Sequence, residues 1–475
     1  MTPSISSEPT LSAGDYLLFL RCPRSLHRRL AGRLAGDAEG IDSGTDDTAG
    51  FPLRSDRDEI RDLALDASGR SDSPGGVTLT AAPFLARVDI WRPQNPEGMA
   101  AVIAREGSGL KRDYLVEAAF IRYCAEGSGA PLVRLYVMYM DKSYTLDSEL
   151  EKSALFVTAD VTRRVAQIYD EHRQKLDRLR EDLADDPVLG RYSELVCGRP
   201  HSCPVCSEDV EPLDPDHVLT LHRGTELAHE LLAEGYTSIP EVPRERLTHP
   251  RQLIQQTAIA SQRPHVDREA LQEFLAGIQF PVYYLDFEAV NSAVPRYRGS
   301  HPWEHVPYLY SVHVEPSEGA SPEHVWYLMP PGEDAREQLV KNLVDALGES
   351  GSVVVYSAAF ETAILRRLGE WFPAWSESIE SIIARVVDLL KPFSDFSFYH
   401  HAQQGKVRLK TVFPVLTSTD YGDLDVRDGY KANIGYRYLC EHPDDIELSR
   451  HLVEYCRMDT LAMMRIVREL RRLTR

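Results

Sequence analysis

The feature that most constrains this chain is an alternation of two hydrophobic periods in its second half. Pro281 to Glu288 (PVYYLDFE) and Ser352 to Tyr356 (SVVVY) are apolar runs of strand length, while Ala335 to Leu347, Glu361 to Glu370 and His451 to Leu470 space their apolar residues as helices do. Strand runs with little polar alternation belong to sheets covered on both faces, and the intervening helices supply the cover. The expected class is α/β. Within the first run Asp286 and Glu288 stand two apart, so both carboxylates leave one face of a strand and Phe287 leaves the other. Two like charges on one face repel unless a cation lies between them.

Further acidic candidates come from separate elements. Glu361 follows the second strand run through Ala358, Ala359 and Phe360 and opens a helix; Tyr455 and Asp459 are spaced i, i+4 in another helix and share a face. Four carboxylates from three elements, with a phenol one turn from the last, suit a two-metal phosphodiester site, whose ions sit roughly 3.5–4 Å apart. Asp388 reads as a helix-start or packing carboxylate. Lys410, ahead of Val412 and Phe413, reads either as a surface lysine or as one that meets a substrate phosphate.

With these residues in place, the sequence resembles the DEDD superfamily of 3′-5′ exonucleases, of RNase H-like fold, in the subclass whose third motif is Tyr-x-x-x-Asp. The motifs are Asp286-Phe287-Glu288, Phe360-Glu361 and Tyr455-Cys456-Arg457-Met458-Asp459. Glu361 departs from the commonest pattern, which has Asp there and an Asn upstream; it keeps the charge with a longer reach. Residues 281–470 also resemble a bacterial domain family of this superfamily through YYLDFEAVNSAVPRYRG, VVVYSAAFETAIL, LKTVFP and YCRMDTLAM. The resemblance implies two Mg2+ or Mn2+ ions held by Asp286, Glu288, Glu361 and Asp459, a water oriented by Tyr455, and DNA or RNA with a single-stranded 3′ end as substrate.

The first half reads differently. Gly-, Asp- and Ser-rich stretches at 35–58 and 68–76 are loops, Asp58 to Leu65 is helical, Val77 to Trp91 forms short strands with Ala86 to Ile90 the best of them, and Val161 to Leu183 is a long charged helix. Cys197, Cys203 and Cys206 cluster as C-x5-C-x2-C, and Cys22 lies far upstream. These four thiols can close an iron–sulfur cluster; a zinc reading takes His201 in place of Cys22. Cys124, Cys440 and Cys456 read as small core residues. One early cysteine joined to three late ones resembles the RecB-like nucleases of the PD-(D/E)XK class that carry a 4Fe-4S cluster, and implies a restriction-endonuclease fold with Asp89 as its metal aspartate.

That class places Glu-x-Lys on the strand after the aspartate and Gln on the next helix. Here Val102 to Glu106 offers two registers, one with Ile103 and Arg105 at the Glu and Lys positions, the other, preferred because an apolar pair usually precedes the glutamate, with Ala104 and Glu106 there; Ile121 and Arg122 lie near the glutamine position. Neither register supplies Glu-x-Lys, so the domain is expected to bind nucleic acid without cutting it. Arg21, Arg24, His27, Arg28, Arg29 and Arg33 form either a local phosphate-binding patch, with Arg28 and Arg29 its core, or a solvated helix face.

The length, 475 residues, allows about three domains. The expected division is 10–212, RecB-like; 213–275, a helical connection punctuated by Pro240, Pro243, Pro250 and Pro264; and 276–475, exonuclease-like, with the firmest boundary near 275. A net charge of -20 argues against a general basic coat, so contact with nucleic acid must be local or helped by metal ions. No apolar run approaches the roughly 18 residues that span a bilayer, and a cytoplasmic protein with no membrane partner is expected. The function so implied is a metal-dependent 3′-5′ exonuclease; the rival is a non-catalytic binding or assembly protein built from two relic nuclease folds.

Overall fold

A computed structural model describes residues 10–35, 56–68, 76–94, 98–193 and 211–475 apart from 423, 425 and 427. The chain is mixed α/β and forms two compact units. One takes the residues up to 210 together with 291–304; the other takes 211–290 and 305–475. The division therefore falls near 210, and the stretch read as a connection packs as part of the second unit.

In the first unit, α1 (Ala13–Arg21), α2 (Pro23–Ala35) and α3 (Asp56–Ala67) precede a hairpin of β1 (Val77–Ala81) and β2 (Phe84–Val88). A four-stranded sheet follows in the order β3 (Ile90–Gln94), β4 (Gly98–Arg105), β5 (Leu132–Met140), β6 (Phe156–Asp160), with α4 (Arg112–Ser128) crossing between the parallel pair β4 and β5. α5 (Thr162–Asp185) closes the unit. Its length is legible because Val165, Tyr169, His172, Leu176, Leu179 and Leu183 recur at three- and four-residue steps and are all buried. β4 is buried on both faces. Ala101 and Ile103 join the core that contains α4 and α5, whereas Val102 and Ala104 pack with Ile60 and Ala64 of α3. The segment 291–304 adds Ala293, Val294 and Trp303 to that second cluster, and Trp303 donates its indole N–H to the Glu106 carbonyl at 2.6 Å.

The second unit opens with α6 (Thr225–Ala233), α7 (Pro250–Ser261), the short strand β7 (His265–Val266) and α8 (Arg268–Ala276). Its main elements follow as β8 (Val282–Val290), β9 (Val306–Glu315), β10 (Glu323–Leu328), α9 (Arg336–Leu347), β11 (Ser352–Val355), α10 (Ala358–Trp371), α11 (Ser376–Ile383), β12 (Val386–Asp388), α12 (Lys391–Ser394), β13 (Phe398–Tyr399), α13 (Leu409–Thr417), α14 (Gly429–Glu441) and α15 (Ile446–Thr474). The five-stranded sheet runs β10-β9-β8-β11-β12, with β8, β9 and β10 antiparallel and β8, β11 and β12 parallel. Leu271 of α8 enters the same core as Tyr284, Val354 and Ile466, and Ala258 of α7 packs with Phe396 and Tyr399, so residues 213–275 are structural parts of this unit. α15 is the long brace. Asp445 caps it by accepting the Leu448 N–H at 2.9 Å, and Leu448, Leu452, Tyr455, Asp459, Met463, Ile466 and Leu470 form its buried stripe. No helix among the described residues is long and apolar enough to cross a membrane.

Candidate functional site

Three elements of the second unit bring the predicted carboxylates together. β8 supplies Asp286 and Glu288 from one face, α10 supplies Glu361 in its first turn, and the brace α15 supplies Asp459. Burial favours the protonated form of each. For Asp286 the neighbouring Asp459 adds to it; for Glu288, Asp286 and Asp459 do; for Glu361, Asp286, Glu288 and Asp459 do. All three stand well above the ordinary carboxylate range. Asp459 is pushed up to about 6 by burial, against hydrogen bonding from Tyr421 and the charge of Lys410.

Glu361 is 3% exposed, accepts from the backbone N–H of Phe287, and among the described residues its Oε2 has no hydrogen-bond partner. A buried carboxylate oxygen left in this state is costly unless a cation or proton completes it. The turn before it is held by Asp388. One oxygen of Asp388 accepts the N–H of Ser357 at 3.0 Å and that of Leu390 at 2.9 Å, and Ser357 has φ of 76°, a conformation most L residues avoid. Asp388 is thus the support of the loop that delivers Glu361.

Lys410 is not a surface lysine. Its ammonium donates to the Tyr455 hydroxyl at 2.6 Å and lies 4.3 Å from the Tyr455 ring centre and 5.5 Å from that of Tyr421. Burial, then Asp459, Glu288 and Asp286, hold the Tyr455 phenol far above its usual range, so it stays neutral. Thr460 ties the brace to β9: its hydroxyl is 2.9 Å from Ser311 Oγ and 2.7 Å from His313 Nδ1, which fixes the neighbouring Asp459.

Two participants had no role in the sequence reading. Tyr421 donates to Asp459 Oδ1 at 2.5 Å from the loop after α13. Cys456, read as a core thiol, lies beside Asp286; the ligand atoms of Asp286, Glu288 and Cys456 fall within 4.8 Å of one another, a spacing open to one metal ion. Cys456 precedes Asp459 by three residues on one helix, and that spacing was the available signal.

The first unit contains a second carboxylate pair, and its centre is filled. Asp89 lies at a break between β2 and β3, not within one strand, and its Oδ2 accepts the Ala104 N–H and an Arg105 guanidinium N–H, both at 2.9 Å. Arg105 also grips Glu117 of α4 with two N–H groups, one of them at 2.8 Å. Burial opposes its charge, but Glu117 and Asp89 more than compensate and keep the guanidinium protonated. The register preferred from the sequence, with Ala104 and Glu106 as the site pair, is therefore corrected: Arg105 faces Asp89, and Glu117 is the partner the sequence reading missed. Arg29 is also corrected. It is 4% exposed and its Nη1 pairs with buried Asp15 at 2.9 Å, so it belongs to the interior of α1 and α2 and not to a surface patch; Arg28 is half-buried. Cys22, half-buried after α1, donates its N–H to the Leu18 carbonyl at 2.8 Å, whereas Cys197, His201, Cys203 and Cys206 lie outside the described residues.

A family model described as a domain of unknown function, DUF2779, matches residues 283–408. That span contains Asp286, Glu288 and Glu361 and ends before Lys410, Tyr455 and Asp459. No curated protein and no solved structure gives a significant match to the chain.

Proposed function

We propose that the second unit is a metal-dependent nuclease of the DEDD type, acting as a 3′-5′ exonuclease on DNA or RNA. The observation that carries this reading is the convergence of Asp286, Glu288, Glu361 and Asp459 with raised proton affinities and an unpartnered Glu361 oxygen. Such a set is electrostatically incomplete without cations, and an all-oxygen donor set of this charge suits Mg2+ or Mn2+. The sheet order, with two parallel strands added beside an antiparallel trio, supports the RNase H-like reading.

When bound, two such ions would supply Lewis acidity, a more acidic water and charge neutralisation at the leaving oxygen. The side chains do the rest. Asp286, Glu288, Glu361 and Asp459 would be the ligands. Tyr455 stays a neutral phenol, so it orients a water by hydrogen bonding and does not act as a base. Lys410 fixes the Tyr455 hydroxyl and offsets part of the acidic charge, and Tyr421 sets the orientation of Asp459.

For the first unit we propose a RecB-like fold that holds nucleic acid without cleaving it, because Arg105 fills the position between Asp89 and Glu117 that a metal would need. A 4Fe-4S cluster on Cys22, Cys197, Cys203 and Cys206 belongs to the same proposal; iron and sulfide analysis of anaerobically purified protein separates it from zinc on Cys197, His201, Cys203 and Cys206. The test of activity is nucleotide release from single- and double-stranded DNA and RNA, each labelled at the 3′ or the 5′ end. Release of the 3′ label first, dependent on Mg2+ or Mn2+, is expected; no release from any of the four polymers would overturn the reading.

A further inference from the structure

Cys456 has surroundings that a packing thiol does not need. It is fully buried on α15, one residue after Tyr455 and three before Asp459, and its Sγ lies 3.4 Å from Asp286 Oδ2 and 3.7 Å from the Asp286 carbonyl oxygen. Free cysteines that serve as small apolar residues sit among hydrocarbon groups. This one sits among oxygen donors. Its sulfur, one oxygen of Asp286 and one of Glu288 all fall within 4.8 Å of one another. A second, independent observation points to a missing cation in the same cluster: Glu361, 3% exposed and beside Asp286 and Glu288, has an Oε2 with no partner among the described residues.

We propose that Cys456 is a thiolate ligand, so that the position shared by Asp286, Glu288 and Cys456 takes a thiophilic divalent ion such as Zn2+ or Co2+ in preference to Mg2+. The proposal rests on the reading of the carboxylates as a metal centre. On binding, a metal–sulfur bond forms, the S–H bond breaks, and the proton leaves to solvent; the sulfur keeps its electron pair as the donor, and no redox change occurs. The cation itself makes ionisation of the thiol possible in so acidic a place. Sulfur distinguishes this position chemically from a carboxylate-only one, because thiolates select softer ions, whereas Mg2+ requires oxygen donors and keeps several waters. The centre would then hold two unlike positions, one with a thiolate and one with oxygen donors only.

The test uses full-length, chelator-treated protein titrated with Co2+ and followed by sulfur-to-cobalt charge-transfer absorption, with Mg2+ affinity measured separately by calorimetry. Other cysteines contribute the same background to wild type and variant, so the difference spectrum isolates position 456. Cys456→Ser should remove one thiolate's share of the absorption and weaken Co2+ by about tenfold or more, within the range seen when a metal site loses a supporting group, while Mg2+ affinity stays within about twofold. Cys456→Ala, which keeps a small apolar side chain, provides the same reading if the serine variant does not fold. Asp286→Asn should weaken both ions. A null difference spectrum, with Asp286→Asn still weakening both ions, would overturn the thiolate and leave the metal centre standing. Unchanged binding of both ions in Asp286→Asn would overturn the centre itself and this proposal with it.

Discussion

Replacing Asp459 by Asn removes one charge from a crowd of buried carboxylates and leaves the side chain's shape intact. Burial holds Asp459 at about 6, against an ordinary value of 3.8. At about 1.4 kcal/mol for each factor of ten in proton affinity, that rise corresponds to about 3 kcal/mol. The sign follows from linkage. Because the folded-state value lies above the unfolded one, the fold prefers the protonated acid; the cost is absent below about pH 4, grows as pH rises to about 6, and is fully present at pH 7. Metal-free wild type should therefore lose stability across that window. Asp459→Asn keeps an oxygen to accept the Tyr421 hydroxyl, and should be about 3 kcal/mol more stable than wild type at pH 7 and no more stable at about pH 4. Denaturant unfolding of chelator-treated protein at the two pH values measures this. Adding Mn2+ at roughly a hundred times its Kd should stabilise wild type by about 2.7 kcal/mol and the variant by less. If the variant is no more stable than wild type at pH 7, burial does not penalise the ionised Asp459 carboxylate as described, and the prediction fails.

The remaining expectations concern single side chains. Arg105→Met leaves Asp89 and Glu117 buried without their cation and should cost about 3–5 kcal/mol in thermal unfolding of the full chain; a triple variant that adds Asp89→Asn and Glu117→Gln should recover most of it. Tyr455→Phe should slow nucleotide release by about 10²-fold, the scale of one positioned proton-handling group, in single-turnover assays. Arg29→Ala breaks a buried pair with Asp15, so it should lower the melting temperature, and nucleic-acid affinity of the fraction that remains folded should be unchanged in filter binding.

The second-unit site was legible because each of its carboxylates sits in a regular element. Alternation in β8 put Asp286 and Glu288 on one face, the start of a helix announced Glu361, and a one-turn spacing joined Tyr455 to Asp459. Tyr421 was not legible, because it reaches Asp459 from a loop 38 residues earlier and no periodicity links them. Cys456 had a signal in its spacing to Asp459, but residue type alone assigned it to the core. The register of the strand carrying Arg105 was misread for a definite reason. Ala101, Val102, Ile103 and Ala104 are all buried, so the strand has no polar face to fix which residues point towards Asp89. Glu117 was hidden for a related reason: its carboxylate answers Arg105 from another element, twelve residues on. Arg29 looked like part of a basic patch until Asp15, fourteen residues earlier, turned out to be its partner.

The measurement that bears most directly on the account is metal-dependent release of nucleotides from a 3′-labelled single-stranded oligonucleotide by wild type, Asp286→Asn and Asp89→Asn proteins of verified fold. Wild type is expected to release nucleotides with Mn2+ and none after chelation, Asp286→Asn to release none, and Asp89→Asn to release them at close to the wild-type rate. Undiminished cleavage by Asp286→Asn, or cleavage lost only when Asp89 is replaced, would contradict this expectation.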